Sequence, residues 1–278
     1  MRAQTAALPR RRVLAAYALG VSTLALVVQA GQARAIVGGA TAPSGAYPFM
    51  VSLRDNGYPY CGGTVVAPQW VLTAAHCVSG RSTTELSAVI DRVDVYGSDG
   101  EVRSIDGVAV DPSYDPVTES FDAALVHLNA PTTGITAAPL IRSGDQTTAA
   151  PNTTATVIGY GSVDPQLPSG GGPVSYPPNL QQTQVAIDSD AQCTAVFNGR
   201  GEPQARTDVM LCAGGDGSHD ACVGDSGGPL LVPGTKPGSW TDVAITSWGA
   251  GCAAPGVPGV YTRLENPSIA AFVASTTQ

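Results

Sequence analysis

The sequence lacks several features that whole classes of protein need. Beyond residue 28 it has no second long apolar run, so no later segment can cross a bilayer as a helix. It has no CxxC pair, and its three histidines, His76, His127 and His219, are far apart, which leaves a structural zinc site without support. Basic residues are scarce once the amino terminus is set aside. Residues 36–278 carry 9 Lys and Arg against 22 Asp and Glu, a formal charge of −13. Such a surface repels nucleic acid and anionic lipid and mildly favours cationic partners. Helical patterning is rare as well. Only the terminal stretch "NPSIAAFVAS", with Pro267 early and no strand-like alternation, predicts a helix convincingly.

The arginines missing from the body of the chain are concentrated at its start. Arg2 and Arg10-Arg11-Arg12 precede "VLAAYALGVSTLALVV", and "ARA" follows at 33–35. A basic start, an apolar core and a small-x-small exit predict a secretory signal peptide over residues 1–35. The "RRRVL" run loosely resembles a twin-arginine export signal. A membrane anchor is the alternative, but Val13 to Val28 falls short of the ~20 residues a spanning helix needs. A cut after Ala35 makes Ile36 the first residue of a secreted, extracellular chain with no further membrane association. Six cysteines in an exported chain suggest three disulfides, and spacing alone leaves all 15 pairings open.

From Ile36 onward, short alternating apolar runs are separated by Gly, Pro and other turn residues. "FMVSL" (49–53), "GTVVAPQWVLTAA" (63–75), "DAALVHL" (122–128), "TATVIGYG" (154–161) and "DVAITSWG" (242–249) are examples. Many short strands with turn signals predict an all-β sandwich or barrel in one or two compact units. A soft boundary lies in "NAPTTGITAAP" (129–139), and residues 164–179 read as a long surface loop.

The densest chemistry is "CVGDSGGPLL" (222–231), where Asp225 and Ser226 sit inside a glycine cage. It matches G-x-S-x-G formally, but that motif needs a strand, a turn, then a helix, with the acid and histidine downstream. Pro229 follows at once and no histidine exists after His219, which excludes that order. The alternative is a base upstream. "TAAHC" (73–77) places His76 at the end of an apolar strand, and "FDAALVHL" (121–128) places Asp122 at the head of another. Taken singly, His76 could be a core histidine and Asp122 a strand-edge cap. Together with Ser226 they follow the chain order His, Asp, Ser.

"IVGG" (36–39), "TAAHC", "DAALV" and "GDSGGP" occur in order, and with them the chain resembles the secreted serine proteases of the chymotrypsin–trypsin family, trypsin-like branch. The resemblance covers essentially all of residues 36–278. It implies two six-stranded antiparallel β-barrels with a short carboxy-terminal helix. The first, 36–135, would carry His76 and Asp122; the second, 136–278, would carry Ser226 and the primary pocket. It implies that His76 takes the Ser226 proton, that Asp122 fixes the imidazole tautomer, and that the Gly224 and Ser226 N–H groups form the oxyanion hole. It pairs Asp225 with the ammonium of Ile36, a strict registry in which a chain beginning at Ala35 is one residue too long. Ala35 itself departs from the Arg or Lys usual before that isoleucine. Signal cleavage could therefore release active enzyme directly, the rival being an upstream cut with a propeptide trimmed later.

The resemblance also implies the disulfides Cys61–Cys77, Cys193–Cys212 and Cys222–Cys252. It places Asp220 at the floor of a pocket walled by Ser247, Trp248, Gly249 and Gly259. Ala221 stands where a serine is common. Losing that hydroxyl removes an acceptor useful to a lysine ammonium, whereas arginine can still pair bidentately with Asp220, so Arg is expected over Lys. Tyr160 stands where the family usually shows tryptophan, and no calcium loop is recognisable around "YGSDGEV" (96–102), so neither metal nor cofactor is expected. Expected partners are protein or peptide substrates with Arg or Lys, and protein protease inhibitors; a monomer is expected, without nucleic acid. A catalytically inactive homologue serving as a binding module, and a serine esterase, are the alternative functions.

Overall fold

Alternating apolar residues and punctuating turns make short strands, and the turns decide how they pair. The computed structural model describes Met1 and residues 36–165, 174–198 and 204–278. The signal-peptide reading of 1–35 lies outside the described residues, as does the middle of the 164–179 loop. Six strands close a barrel: β2 (Met50–Asp55), β3 (Tyr58–Ala67), β4 (Trp70–Thr73), β5 (Leu86–Ile90), β6 (Glu101–Val110) and β7 (Ala124–Leu128), in the order β2-β3-β4-β7-β6-β5. β2 and β3 form a hairpin through Asn56-Gly57, both at positive φ (48° and 85°), which matches the right-handed twist of the strands. Buried Val51, Leu53, Val65, Val71, Val126 and Leu128, which the strand register puts on one face, fill the barrel.

A second sheet contains β1 (Ala40–Thr41), β8 (Thr154–Gly159), β9 (Gln181–Ala186), β10 (Met210–Gly214), β11 (Pro229–Pro233), β12 (Trp240–Trp248) and β13 (Pro258–Arg263). Its order is β1-β9-β8-β11-β12-β13-β10. The six strands of the expected second barrel are therefore present as β8–β13. Their ends approach each other at one bridge, Ile187 to Ala213, supported by Asp188 N–H donating to Cys212 O at 2.9 Å. β1 adds itself to β9, so the amino-terminal segment joins this sheet before the chain enters the barrel.

The terminal helix α3 (Pro267–Thr276) forms where expected: Pro267 opens it, and Asn266 Oδ1 accepts from the N–H groups of Ser268 and Ile269. It is not the only helix. α1 (Ala75–Val78) is a single turn, and α2 (Asp190–Phe197) begins with a capping box in which Ser189 Oγ accepts from Gln192 N–H while Gln192 Oε1 accepts from Ser189 N–H. The reading of the terminal helix as the only convincing one missed this Ser-x-x-Gln signature. α2 buries Cys193 and Phe197, one turn apart. All three disulfides join the implied partners: Cys61–Cys77, Cys193–Cys212 and Cys222–Cys252. Each is expected to contribute ~2–4 kcal/mol.

Candidate active site

His76 sits on α1, the single turn that follows β4. Its neighbours Ala74, Ala75 and Cys77 are buried, while the ring stays partly exposed. β3 holds the turn twice, through the Cys61–Cys77 bridge and through Tyr60 Oη donating to Cys77 O at 2.9 Å. Asp122, at the head of β7, is completely buried. A buried carboxylate must be hydrogen-bonded, and this one is. Oδ1 accepts from His76 N–H at 2.9 Å; Oδ2 lies 2.8 Å from His76 Nδ1 and accepts from Ser247 Oγ at 2.5 Å. Thr262 Oγ1 donates to the Asp122 carbonyl at 3.0 Å. With a carboxylate opposite Nδ1, the proton of the neutral ring sits there and Nε2 carries the free lone pair. Burial disfavours the imidazolium, but the hydrogen bond and charge of Asp122, then the charge of Glu119, outweigh it and raise the ring's pKa.

Ser226 arrives from the opposite side on a loop that side chains could not build. A Cβ on Gly227 would stand 2.2 Å from Thr73 Oγ1 and 2.6 Å from Gly62 O. Without one, the loop docks on the barrel, with Gly62 N–H donating to Ser226 O at 2.7 Å. It also docks on the second sheet, with Gly227 N–H donating to Thr246 O at 2.7 Å. Cys77 Sγ lies 3.7 Å from both His76 Nε2 and Ser226 O, so the ring and the serine flank one sulfur atom. Among the described residues, Ser226 Oγ and the N–H groups of Ser226 and Gly224 have no protein partner. Gly224 takes φ of 99°, with Gly161 Cα 3.0 Å from where its Cβ would be.

Asp225 points away from solvent and is fully buried. It accepts from Gly161 N–H at 2.8 Å and Cys222 N–H at 2.9 Å, and burial pushes its pKa up to about 7. Ile36 is also fully buried, at φ of 61°, an uncommon conformation for a β-branched residue. The next residue, Val37, bridges to Asp220, whose N–H donates to Val37 O at 3.3 Å. In the intact chain the Ile36 nitrogen is an amide, and no ion pair joins Asp225 to a cation among the described residues.

Asp220 is buried too, with its pKa pushed up to about 7 by desolvation. Oδ2 accepts from Ala253 N–H at 2.8 Å, while Oδ1 has no partner. A Cβ on Gly259 would come within 3.0 Å of that free oxygen and 3.2 Å of Tyr261 Oη. A Cβ on Gly249 would stand 3.9 Å from Gly259 Cα, so the two glycines face each other. Trp248 packs edge-on against Phe197 of α2, with ring centroids 5.0 Å apart.

A family model described as Trypsin matches residues 36–270. The chain belongs to the trypsin family. It is 38% identical over 232 residues to a protein named Trypsin from Saccharopolyspora erythraea, a match covering 82% of this chain and 93% of that protein. It is 39% and 36% identical over 233 residues to Serine protease 56 from Mus musculus and from Homo sapiens, matches that span 37% of each of those longer proteins. As a trypsin-family serine protease, the chain is a hydrolase acting on proteins or peptides.

Within this trypsin-family site, three contacts escaped the motifs. Ser247, expected in the pocket wall, turns its hydroxyl to Asp122. Thr262 makes a second link from the sheet to the same residue. Glu119 brings a carboxylate to 3.9 Å from His76 Nδ1. Ligand atoms of His76, Glu119 and Asp122 lie within 4.8 Å of one another, but both Asp122 oxygens are committed to His76 and Ser247, so the cluster is an acid–base array. Tyr160, in place of the usual tryptophan, uses its extra hydroxyl to donate to Arg92 O. His127 pairs with Asp106 and His219 with Asp216, both away from the triad geometry.

Proposed function

We propose that the protein is a secreted serine endopeptidase that cleaves after arginine, and less readily after lysine, through an acyl-enzyme. The observation that carries this reading is the convergence at Cys77 Sγ of Ser226 with an imidazole whose Nδ1 is held by a buried carboxylate. Ser226 Oγ attacks the substrate carbonyl carbon as its proton passes to His76 Nε2. The oxygen that gains charge is stabilised by the idle N–H groups of Gly224 and Ser226, each donor worth about 10²–10³ in rate. His76 then gives its proton to the leaving amine, and water releases the acyl group by the same route. Asp122 keeps the ring in the tautomer that makes this possible.

Asp220 is the proposed determinant of specificity. Its unpartnered Oδ1 faces the gap beside Gly259, so a guanidinium there would restore both charge balance and a hydrogen bond. Release of Ile36 as an amino terminus would supply the ammonium that buried Asp225 lacks. Export is supported by the basic, apolar and "ARA" pattern and by three disulfides. The proposed domains, 36–135 and 136–278, place the cleft between barrel and sheet.

The deciding experiment is cleavage-site profiling of a peptide library, with Ser226→Ala as control. Cuts after Arg ahead of Lys are expected. A Lys preference overturns the specificity, and ester turnover without peptide cleavage, or failure of a fluorophosphonate to label Ser226, overturns the endopeptidase. Amino-terminal sequencing tests activation: a fully active chain that starts at Ala35 refutes the registry.

A further inference from the structure

We propose that Glu119 is a second carboxylate for the His76 imidazole, a positioning residue that favours the protonated ring and thereby moves the lower pH bound of turnover upward. The inference rests on His76 being the general base.

The loop between β6 and β7 is built to aim this side chain. Asp111 starts it, its carboxylate accepting from Ser113 N–H at 2.8 Å. Asp115 bridges to Ser120 through the backbone, and its side chain accepts from Val117 N–H and Thr118 Oγ1, both at 2.9 Å. The exit is strained: Glu119 and Phe121 take φ of 53° and 55°, although neither is glycine. Such outliers persist only where the surroundings over-determine them, and they cluster where geometry matters for chemistry. Here the outcome is that Glu119 Oε2 stands 3.9 Å from His76 Nδ1, on the edge of the ring that already meets Asp122. Tyr114 Oη donates to the same Oε2 at 2.9 Å and fixes it there.

At 3.9 Å the interaction is a field and not a hydrogen bond, which makes it separable from that of Asp122. The other groups around the ring do not cancel it. Among the described residues, Arg81, beyond α1, is the cation that opposes protonation, and it is drawn off by Asp55 and stacks on Tyr60, 4.6 Å from the ring centroid. The Tyr60 hydroxyl is committed to Cys77 O, and Ser247 acts on Asp122. Ser226 contributes a neutral hydroxyl. Burial of the imidazole works against its charge, Asp122 raises its pKa most, and Glu119 raises it further.

The test reads the ring directly, so it does not depend on hydrolysis. His76 is titrated by NMR in the Ser226→Ala chain, with and without Glu119→Gln. Loss of a charge ~4 Å away in a partly exposed site is expected to lower the midpoint by about 0.5–1 pH unit. The acid limb of kcat/KM in the active chain should move down equally. The gap should narrow in ~1 M salt, where screening acts over about 3 Å. Tyr114→Phe, which keeps the charge but loosens it, should give a smaller shift of the same sign and serves if Glu119→Gln misfolds. A His76 midpoint that neither variant moves overturns the proposal. A shifted midpoint there, alongside a chain with Ser226 intact that hydrolyses nothing, would instead count against His76 as a protease base and leave the pairing intact.

Discussion

Asp122 and Asp220 show how differently two buried carboxylates can be surrounded. Asp122 is surrounded by donors on both oxygens, whereas Asp220 has one oxygen bonded and one idle. Burial dominates at Asp220 and pushes it up to about 7. Below that value it is mostly protonated and loses its attraction for a cation. The KM for an arginine substrate is therefore expected to rise as pH falls through about 7, more steeply than for a substrate with an uncharged side chain at the same place. Parallel pH profiles of the two KM values would speak against Asp220 as the floor of the pocket. The role proposed for Asp220 came from its place two residues before Cys222 in a recognisable string. Ser247 and Glu119 were not legible in these roles, since each reaches the triad by folding over a distance in the chain that no local pattern encodes.

Among the elements, strands declared themselves and one helix did not. β7 reads as apolar because both its faces are covered, and β2 to β3 is signalled by Asn56-Gly57. α2 was hidden because "DAQCTAVF" mixes residues that suit strands as well as helices, and only the capping box at its start gives it away. That box should carry much of its stability. Ser189→Ala is expected to cost ~1 kcal/mol, measured by urea unfolding, with a range of about 0.5–2. An unchanged midpoint would mean that the Cys193–Cys212 bridge and the Phe197–Trp248 contact hold α2 without its cap. The pairing of the cysteines was fixed by resemblance alone, because spacing had left every combination open.

For the molecule as a whole, the proposed catalytic groups meet at a seam. Asp122 belongs to the barrel yet is bound by Ser247 and Thr262 of the second sheet, and the serine loop hydrogen-bonds to both. On the side of the second sheet lie two further buried acids, Asp220 and Asp225, each raised to about 7 in the intact chain. A carboxyl that holds its proton more tightly when folded stabilises the fold at low pH, and that stability is lost as pH climbs from ~4 to the folded value. In a chain beginning at Ile36 the ammonium would keep Asp225 charged and remove part of this loss. Between pH ~4 and ~7, the melting temperature of a Ser226→Ala precursor is thus expected to fall relative to that of the same chain starting at Ile36. Identical pH slopes would argue against the Ile36–Asp225 pair.

The sulfur of Cys77 lies against the His76 ring and the Ser226 carbonyl, and it holds that place as half of the bridge to β3. Opening of the Cys61–Cys77 link by a thiol is therefore expected to lower peptide cleavage and thermal stability together, since both sulfurs belong to the barrel core. A chain that never forms this bridge would lack one of the two ties that hold the His76 turn to β3.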